Sequence, residues 1–173
     1  MKNLLLSFFL VFTTLGIAQI GVTAGYNFND KNVNLSSYSI GIFKNLRQDY
    51  KVDLQPYLEM KFFEEKDYNI SEREYFRRKE LSLGSNVDYY LNSLERSWFI
   101  RGGAGIGINL SELDYLFKPV KVSGVIGLGK NISKNTAIVL RYLFNFIDPI
   151  QPNAMIYDFS ISSISVQIQL KLN

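Results

Sequence analysis

The sequence predicts an all-β fold, an eight-stranded antiparallel up-and-down transmembrane β-barrel, on three observations. Eight segments alternate apolar residues with small or polar ones at period two, as in pleated strands whose successive side chains point to opposite sides. The connections between them alternate between longer and shorter, as in barrels with loops at one end and tight turns at the other. Beyond the N-terminal segment no stretch approaches the roughly 18 uninterrupted apolar residues of a spanning helix, and a closed barrel is the other backbone arrangement that hydrocarbon tolerates.

The N-terminal segment stands apart. Met1-Lys2-Asn3 is a short basic start, and Leu4 to Ile17 is apolar except for Ser7, Thr13, Thr14 and Gly16. Gly16 and Ala18 are small residues where a signal peptidase reads, so 1–18 is expected to be a cleaved secretory signal and 19–173 the barrel domain. The apolar run is shorter than the roughly 20 residues that a helical anchor needs.

Strand one, Gln19 to Phe28, sets Ile20, Val22, Ala24, Tyr26 and Phe28 against Gln19, Gly21, Thr23, Gly25 and Asn27. After a polar loop (Asn29–Ser37), strand two runs from Tyr38 to Asn45 with Tyr38, Ile40 and Ile42 apolar, and Leu46–Lys51 turns back. Strand three, Val52 to Phe63, places Val52, Leu54, Leu58, Met60 and Phe62 outward, and Asp53, Gln55, Tyr57, Glu59 and Lys61 inward. Pro56 cannot donate a ladder bond, which predicts a bulge or irregular pairing there. Glu64–Arg78 is the most charged stretch and the longest loop, or a hairpin extension beyond the bilayer. Strand four, Lys79 to Leu91, turns Glu80, Asn86, Asp88 and Tyr90 inward.

Strand five, Trp98 to Leu110, has the cleanest pattern. Trp98, Ile100, Gly102, Ala104, Ile106, Ile108 and Leu110 form one face, and Phe99, Arg101, Gly103, Gly105, Gly107 and Asn109 the other. Its glycines do not fit a phosphate-loop spacing and no helix pattern follows; they make lumen room for larger Arg and Tyr side chains opposite. Strand six covers Lys118 to Lys130 and strand seven Thr136 to Phe146, joined by Asn131–Asn135. A proline-broken loop, 148–153, leads to the last strand, Tyr157 to Leu172, whose two halves are out of phase, so a bulge is expected near Ser162-Ser163. The expected long connections are Asn29–Ser37, Glu64–Arg78, Ser111–Phe117 and Ile147–Ile156, and the short ones Leu46–Lys51, Asn92–Arg96 and Asn131–Asn135.

Composition narrows the chemistry. There is no cysteine and no histidine, which removes thiolate chemistry, the commonest general base and the commonest transition-metal ligand. No cofactor is expected. The formal charge of +3 falls to +2 without Lys2, too little to suggest nucleic-acid binding. The competing soluble fold is an eight-stranded cup with an apolar interior and a polar outside.

Several segments resemble the PorT-like outer-membrane β-barrel family of Bacteroidota. They are Leu54-Gln-Pro-Tyr-Leu-Glu-Met60, the Gly102–Asn109 strand, the hairpin Gly127 to Tyr142, and the closing Val166-Gln-Ile-Gln-Leu-Lys-Leu172. The resemblance covers most of the chain after residue 18. It implies the outer membrane of a Gram-negative cell and, for some members, a link to gliding or secretion.

The expected location is the cell outer membrane with both termini periplasmic, and the expected surroundings are lipid and lipopolysaccharide around a monomeric barrel. Asp53, Glu59, Lys61, Glu80, Asp88, Arg101, Lys121, Arg141 and Lys171 are expected to form a lumen charge network, because an eight-stranded barrel is filled by side chains and buried charges must pair. In the longest loop, Tyr68, Arg73, Tyr75, Phe76 and Arg77 suit contact with an envelope or secretion protein. A non-enzymatic structural, assembly or secretion role follows. The alternatives are a narrow channel for ions or small solutes, and an enzyme using Glu59 with Asp53 or Asp88 as acid and base.

Overall fold

A computed structural model describes residues 19–29, 35–47, 50–65, 79–92, 97–110, 120–146 and 163–172, with no side-chain description at 29, 35, 64 and 65. The strands are β1 (Gln19–Asn29), β2 (Leu35–Arg47), β3 (Val52–Glu65), β4 (Lys79–Tyr90), β5 (Trp98–Asn109), β6 (Val120–Asn131), β7 (Thr136–Asn145) and β8 (Ser163–Lys171). Each pairs antiparallel with its sequence neighbours, and β8 pairs with β1, so the barrel is closed and no strand edge is left open. Closure matters because every ladder N–H and C=O then has a partner without water.

One cross-strand row gives the geometry of the whole barrel. It leaves β2 at Arg47, passes Asp53, Asp88, Arg101, Gly127, Arg141, Ser165 and Asn27, and returns to β2 at Ser37. The return is ten residues away from the departure, so the strands are sheared by ten. With eight strands, a rise of about 3.3 Å per residue and a spacing of about 4.8 Å, that shear tilts the strands roughly 40° to the barrel axis. The interior is then narrow enough for side chains to fill.

The two faces separate by parity. Ile40 is 57% exposed and Ile126 56%, whereas Ser39 and Val125 beside them are buried. The outer face carries Ile, Leu, Val and aromatic side chains around the barrel, and the interior carries Asn, Gln, Ser, Asp, Glu, Lys and Arg. This inverts the soluble cup, and an apolar belt of such extent is a lipid surface. On β4 the belt runs from Lys79 to Tyr89, and ten residues at that tilt span about 25 Å, the height of a membrane band. Aromatic residues mark its edges. Tyr26, Phe28 and Tyr38 cluster at the loop end, with ring centroids 4.7 and 5.0 Å apart, while Tyr89 and Trp98 lie at the turn end.

Several expectations need correction. The β1–β2 connection is only residues 30–34, because both strands run further than their hydrophobic pattern; the Asn27 side-chain amide donates to Ser37 O (3.3 Å) and Oγ (2.8 Å), closing the hairpin beyond the apolar residues. The first connection is therefore nearly as short as the one between β2 and β3, and the other expected long connections fall on residues outside the described ones. At Pro56 the expected irregular pairing is found, without a bulge. Phe43↔Tyr57 and Leu46↔Leu54 keep one register, and the pairs between them, opposite Pro56 and Gln55, drop out of the ladder. The signal segment, the loop residues Tyr68, Arg73, Tyr75, Phe76 and Arg77, the 148–153 loop and the upper half of the last strand with its bulge at Ser162 lie outside the described residues.

Glycine placement is a packing device. A Cβ on Gly129 would sit 2.1 Å from the Phe99 ring, and one on Gly105 would sit 2.4 Å from the Tyr57 hydroxyl, whereas one on Gly102 would meet nothing within 4 Å. Gly129→Ala is therefore expected to destabilise the barrel by about 1–3 kcal/mol through overpacking. Gly102→Ala, on the lipid face of an adjacent strand, is expected to change stability by less than about 0.5 kcal/mol. Urea titration of the folded band on unheated detergent gels measures both; equal effects would refute the packing account.

Candidate functional site

The lumen is the place where the fold collects polar chemistry, and it is organised in layers. At the turn end lies an apolar floor. Tyr90, Phe99, Ala137 and Val139 form it, all at most 2% exposed, and Phe43 is buried as deeply. Phe99 and Tyr90 pack with ring centroids 5.3 Å apart. Gly21 stands opposite Phe43 and Gly129 opposite Phe99, so each ring lies across a position without a side chain. Tyr90 also donates its hydroxyl to Asp53 Oδ2 at 3.2 Å, and Asn45 donates to the same oxygen at 2.9 Å.

Directly above the floor, Arg101 is completely buried. Its Nε and Nη2 donate to the two carboxylate oxygens of Asp88, each at 2.7 Å. Nη2 also reaches Gln55 Oε1 at 2.8 Å and Gln169 Oε1 at 3.1 Å, and Gln169 donates back to Gln55 at 3.1 Å. The guanidinium carbon lies 5.5 Å from the Phe99 ring centre, which ties this layer to the floor. The row through Arg47, Asp53, Asp88 and Arg101 sets two carboxylates side by side between two cations. Two acids opposite each other in a ladder repel, so Arg101 on the far side of Asp88 is what makes the arrangement tolerable.

The middle layer joins Arg141 to Glu59 at 3.2 and 3.4 Å, with Gln167 donating to Glu59 at 3.1 Å and Arg141 donating to Ser165 at 3.2 Å. Gly127 separates the two arginines along their shared row, and a Cβ there would press on the Leu140 carbonyl and on Arg141. The uppermost layer centres on Glu80, which holds Lys61 at 3.3 Å, Lys121, and the Ser82 hydroxyl at 2.8 Å. Above it, a space of about 20 Å³, with room for little more than one water, is lined by Asn27, Ser37, Lys61, Lys121 and Ser163 among others.

Of the nine lumen residues chosen from sequence, eight thus lie inside the barrel in four separate groups along its axis. Lys171 lies at the turn-end rim opposite Gly21. The pairing of Glu59 with Asp53 or Asp88 as acid and base has no geometric counterpart, since the three carboxylates engage different partners in different layers. Among the described residues no three carboxylate groups converge to hold a metal. The aromatic floor and the glutamines Gln55, Gln167 and Gln169 were not singled out by sequence. Their signal was inward parity alone, which does not distinguish a plug from a lining.

No protein-family model matches the sequence, and no curated protein matches it. Solved structures do. The chain resembles the Yersinia pestis outer membrane protein Ail in a phospholipid bilayer nanodisc (TM-score 0.57, 11% identity, 90% of this chain and 99% of that one). It also resembles the outer membrane enzyme PagL (0.55, 15%, 88% and 99%). A third likeness is to a de novo designed transmembrane β-barrel (0.56, 15%, 89% and 95%). At such identities the likeness is one of fold, and the fold is the closed, eight-stranded antiparallel barrel of small outer-membrane proteins.

Proposed function

We propose that this chain is a non-conducting outer-membrane barrel that acts through its loop-end surface, in envelope assembly or secretion, by contacting a protein partner. The observation that carries this reading is the filled lumen. An apolar floor closes the turn end, and above it the inward carboxylates are engaged by cations or hydrogen-bond donors from other strands. A pore needs a continuous wet path, whereas such a plug favours a scaffold whose task lies outside the barrel. The apolar belt supports placement in a bilayer, and the even strand count sends Gln19 and Lys171 to the turn end, which we assign to the periplasm.

The Glu64–Arg78 stretch, with Tyr68, Arg73, Tyr75, Phe76 and Arg77, is the partner-contacting segment in this reading, on its arginine and aromatic content. The resemblance to PorT-like barrels agrees with a secretion or gliding assembly. We further propose that the chain is not an enzyme, although PagL is one on this fold; the pairing of Glu59 with Arg141 and of Asp88 with Arg101 leaves neither carboxylate poised as a free base.

Two measurements test the proposal together. In planar bilayers the refolded protein is expected to show no discrete conductance steps. A photoreactive residue at Tyr75 is expected to cross-link one recurrent protein in outer-membrane fractions. Stepwise conductance would replace this reading with the channel, and cross-links spread over abundant neighbours would remove the partner.

A further inference from the structure

The lipid-facing surface is not the same all the way round at the turn end. From the start of β3 to the end of β6, that edge carries Lys51, just before β3, then Tyr89 of β4, Trp98 of β5 and Lys130 of β6. The Lys51 ammonium lies 5.9 Å from the Tyr89 ring centre and the Lys130 ammonium 5.0 Å from that of Trp98. Trp98 and Lys130 are direct cross-strand partners. At the same edge β7, β8 and β1 present Ile138, Leu170, Leu172 and Ile20, all exposed and apolar, and the outward Lys44 of β2 is buried.

Lys130 is the informative residue. Its side chain points to the lipid side between Leu128 and Ile132, which are 44% and 61% exposed. An ammonium in that position is costly in hydrocarbon and settles at the headgroup level, where water and anionic groups meet it, and the tryptophan beneath it marks the same depth. The charge balance of the two ends agrees. The turn segments 46–51, 91–97 and 130–135 hold Arg47, Lys51, Arg96, Lys130 and Lys134 against Asp49 and Glu95. The other stretches, 30–34, 64–78, 111–119 and 147–162, carry ten acids against six bases.

We propose that the β3–β6 arc is a binding site for the phosphate of an anionic glycerophospholipid in the inner leaflet. Lys51 and Lys130 hold the headgroup, Tyr89 and Trp98 fix its depth, and its acyl chains lie along Ile100 and Leu128. This deepens the membrane reading above and rests on it.

The test is native mass spectrometry of the full barrel released from nanodiscs of phosphatidylglycerol, phosphatidylcholine or lipid A. The heat-modifiable gel shift serves as a separate check that the barrel is folded and inserted. The wild type is expected to retain phosphatidylglycerol over phosphatidylcholine. Lys51→Gln and Lys130→Gln are each expected to lower that retention about fivefold, while Lys134→Gln, at the turn tip away from the two rings, has a smaller effect. A barrel that never inserts refutes the membrane reading itself. A folded barrel that retains both phospholipids equally, or loses nothing in the two variants, refutes only the site, and a preference for lipid A refutes the inner-leaflet assignment.

Discussion

Arg101→Met is expected to cost the folded barrel about 3–5 kcal/mol, because it leaves the Asp88 carboxylate buried without its cation. Asp88 is 1% exposed and each of its oxygens takes a 2.7 Å bond from Arg101. The loss of Arg101 also strips Gln55 and Gln169 of a shared donor, and it restores the repulsion between Asp88 and Asp53 in the adjacent ladder position. The companion Arg101→Met/Asp88→Leu removes both charges and refills their volume. It is expected to recover most of the loss, since well-packed apolar replacements of buried ion pairs are often neutral or better. Urea titration in detergent micelles, followed by the folded band on unheated gels, measures both variants. If the single substitution costs less than about 1 kcal/mol, water reaches Asp88 and the lumen is wetter than its packing implies.

How far these features were legible in the sequence depends on which physical rule decides them. Parity decides the face of every side chain in a strand, so Trp98 to Asn109 sorted into lipid and lumen rows without any coordinates. Parity also put Asp53, Glu59, Lys61, Glu80, Asp88, Arg101, Lys121 and Arg141 inside. What it cannot give is depth along the axis, which depends on the shear. Asp88 meets Arg101 through the register of adjacent strands, whereas Glu59 meets Arg141 from across the lumen only once the barrel closes. The floor was hidden for the same reason: Tyr90, Phe99 and Val139 belong to three strands, and nothing local in any of them says that they pack together. Pro56 shows the reverse case, where the local rule foresaw a broken ladder but not that the register would pass through it unchanged.

The same distinction explains why the fold is better determined than the task. A closed barrel with a polar lumen follows from pattern and backbone satisfaction, and it is shared at 11–15% identity with an enzyme, with Ail and with a designed protein. Such sharing says that the scaffold constrains shape, and that work is done by whatever side chains are mounted on it. Here the lumen carboxylates are consumed by cations and donors inside the barrel. In the reading proposed above, the surfaces left to carry function are the loop end, with its charged and aromatic connections, and the lipid-facing edge at the turns.

Phe99→Ala tests whether that consumption is structural. The residue is 1% exposed, stacks against Tyr90, lies over Gly129 and backs the Arg101 guanidinium. Truncating it leaves a cavity at the floor with no side chain opposite to fill it, and a loss of about 3–5 kcal/mol is expected. Moving the bulk to the other strand, as Phe99→Ala/Gly129→Leu, is expected to regain part of the loss because the two positions face each other across one ladder. The single variant should nevertheless stay silent in planar bilayers. The Arg101–Asp88–Gln55–Gln169 layer spans the lumen immediately above, joining side chains from β3, β4, β5 and β8. Stability that falls while conductance stays at zero would show that the barrel is sealed at more than one level. Current steps on removing Phe99 alone would mean that one aromatic ring is the gate, and the plugged-scaffold reading would give way to a channel.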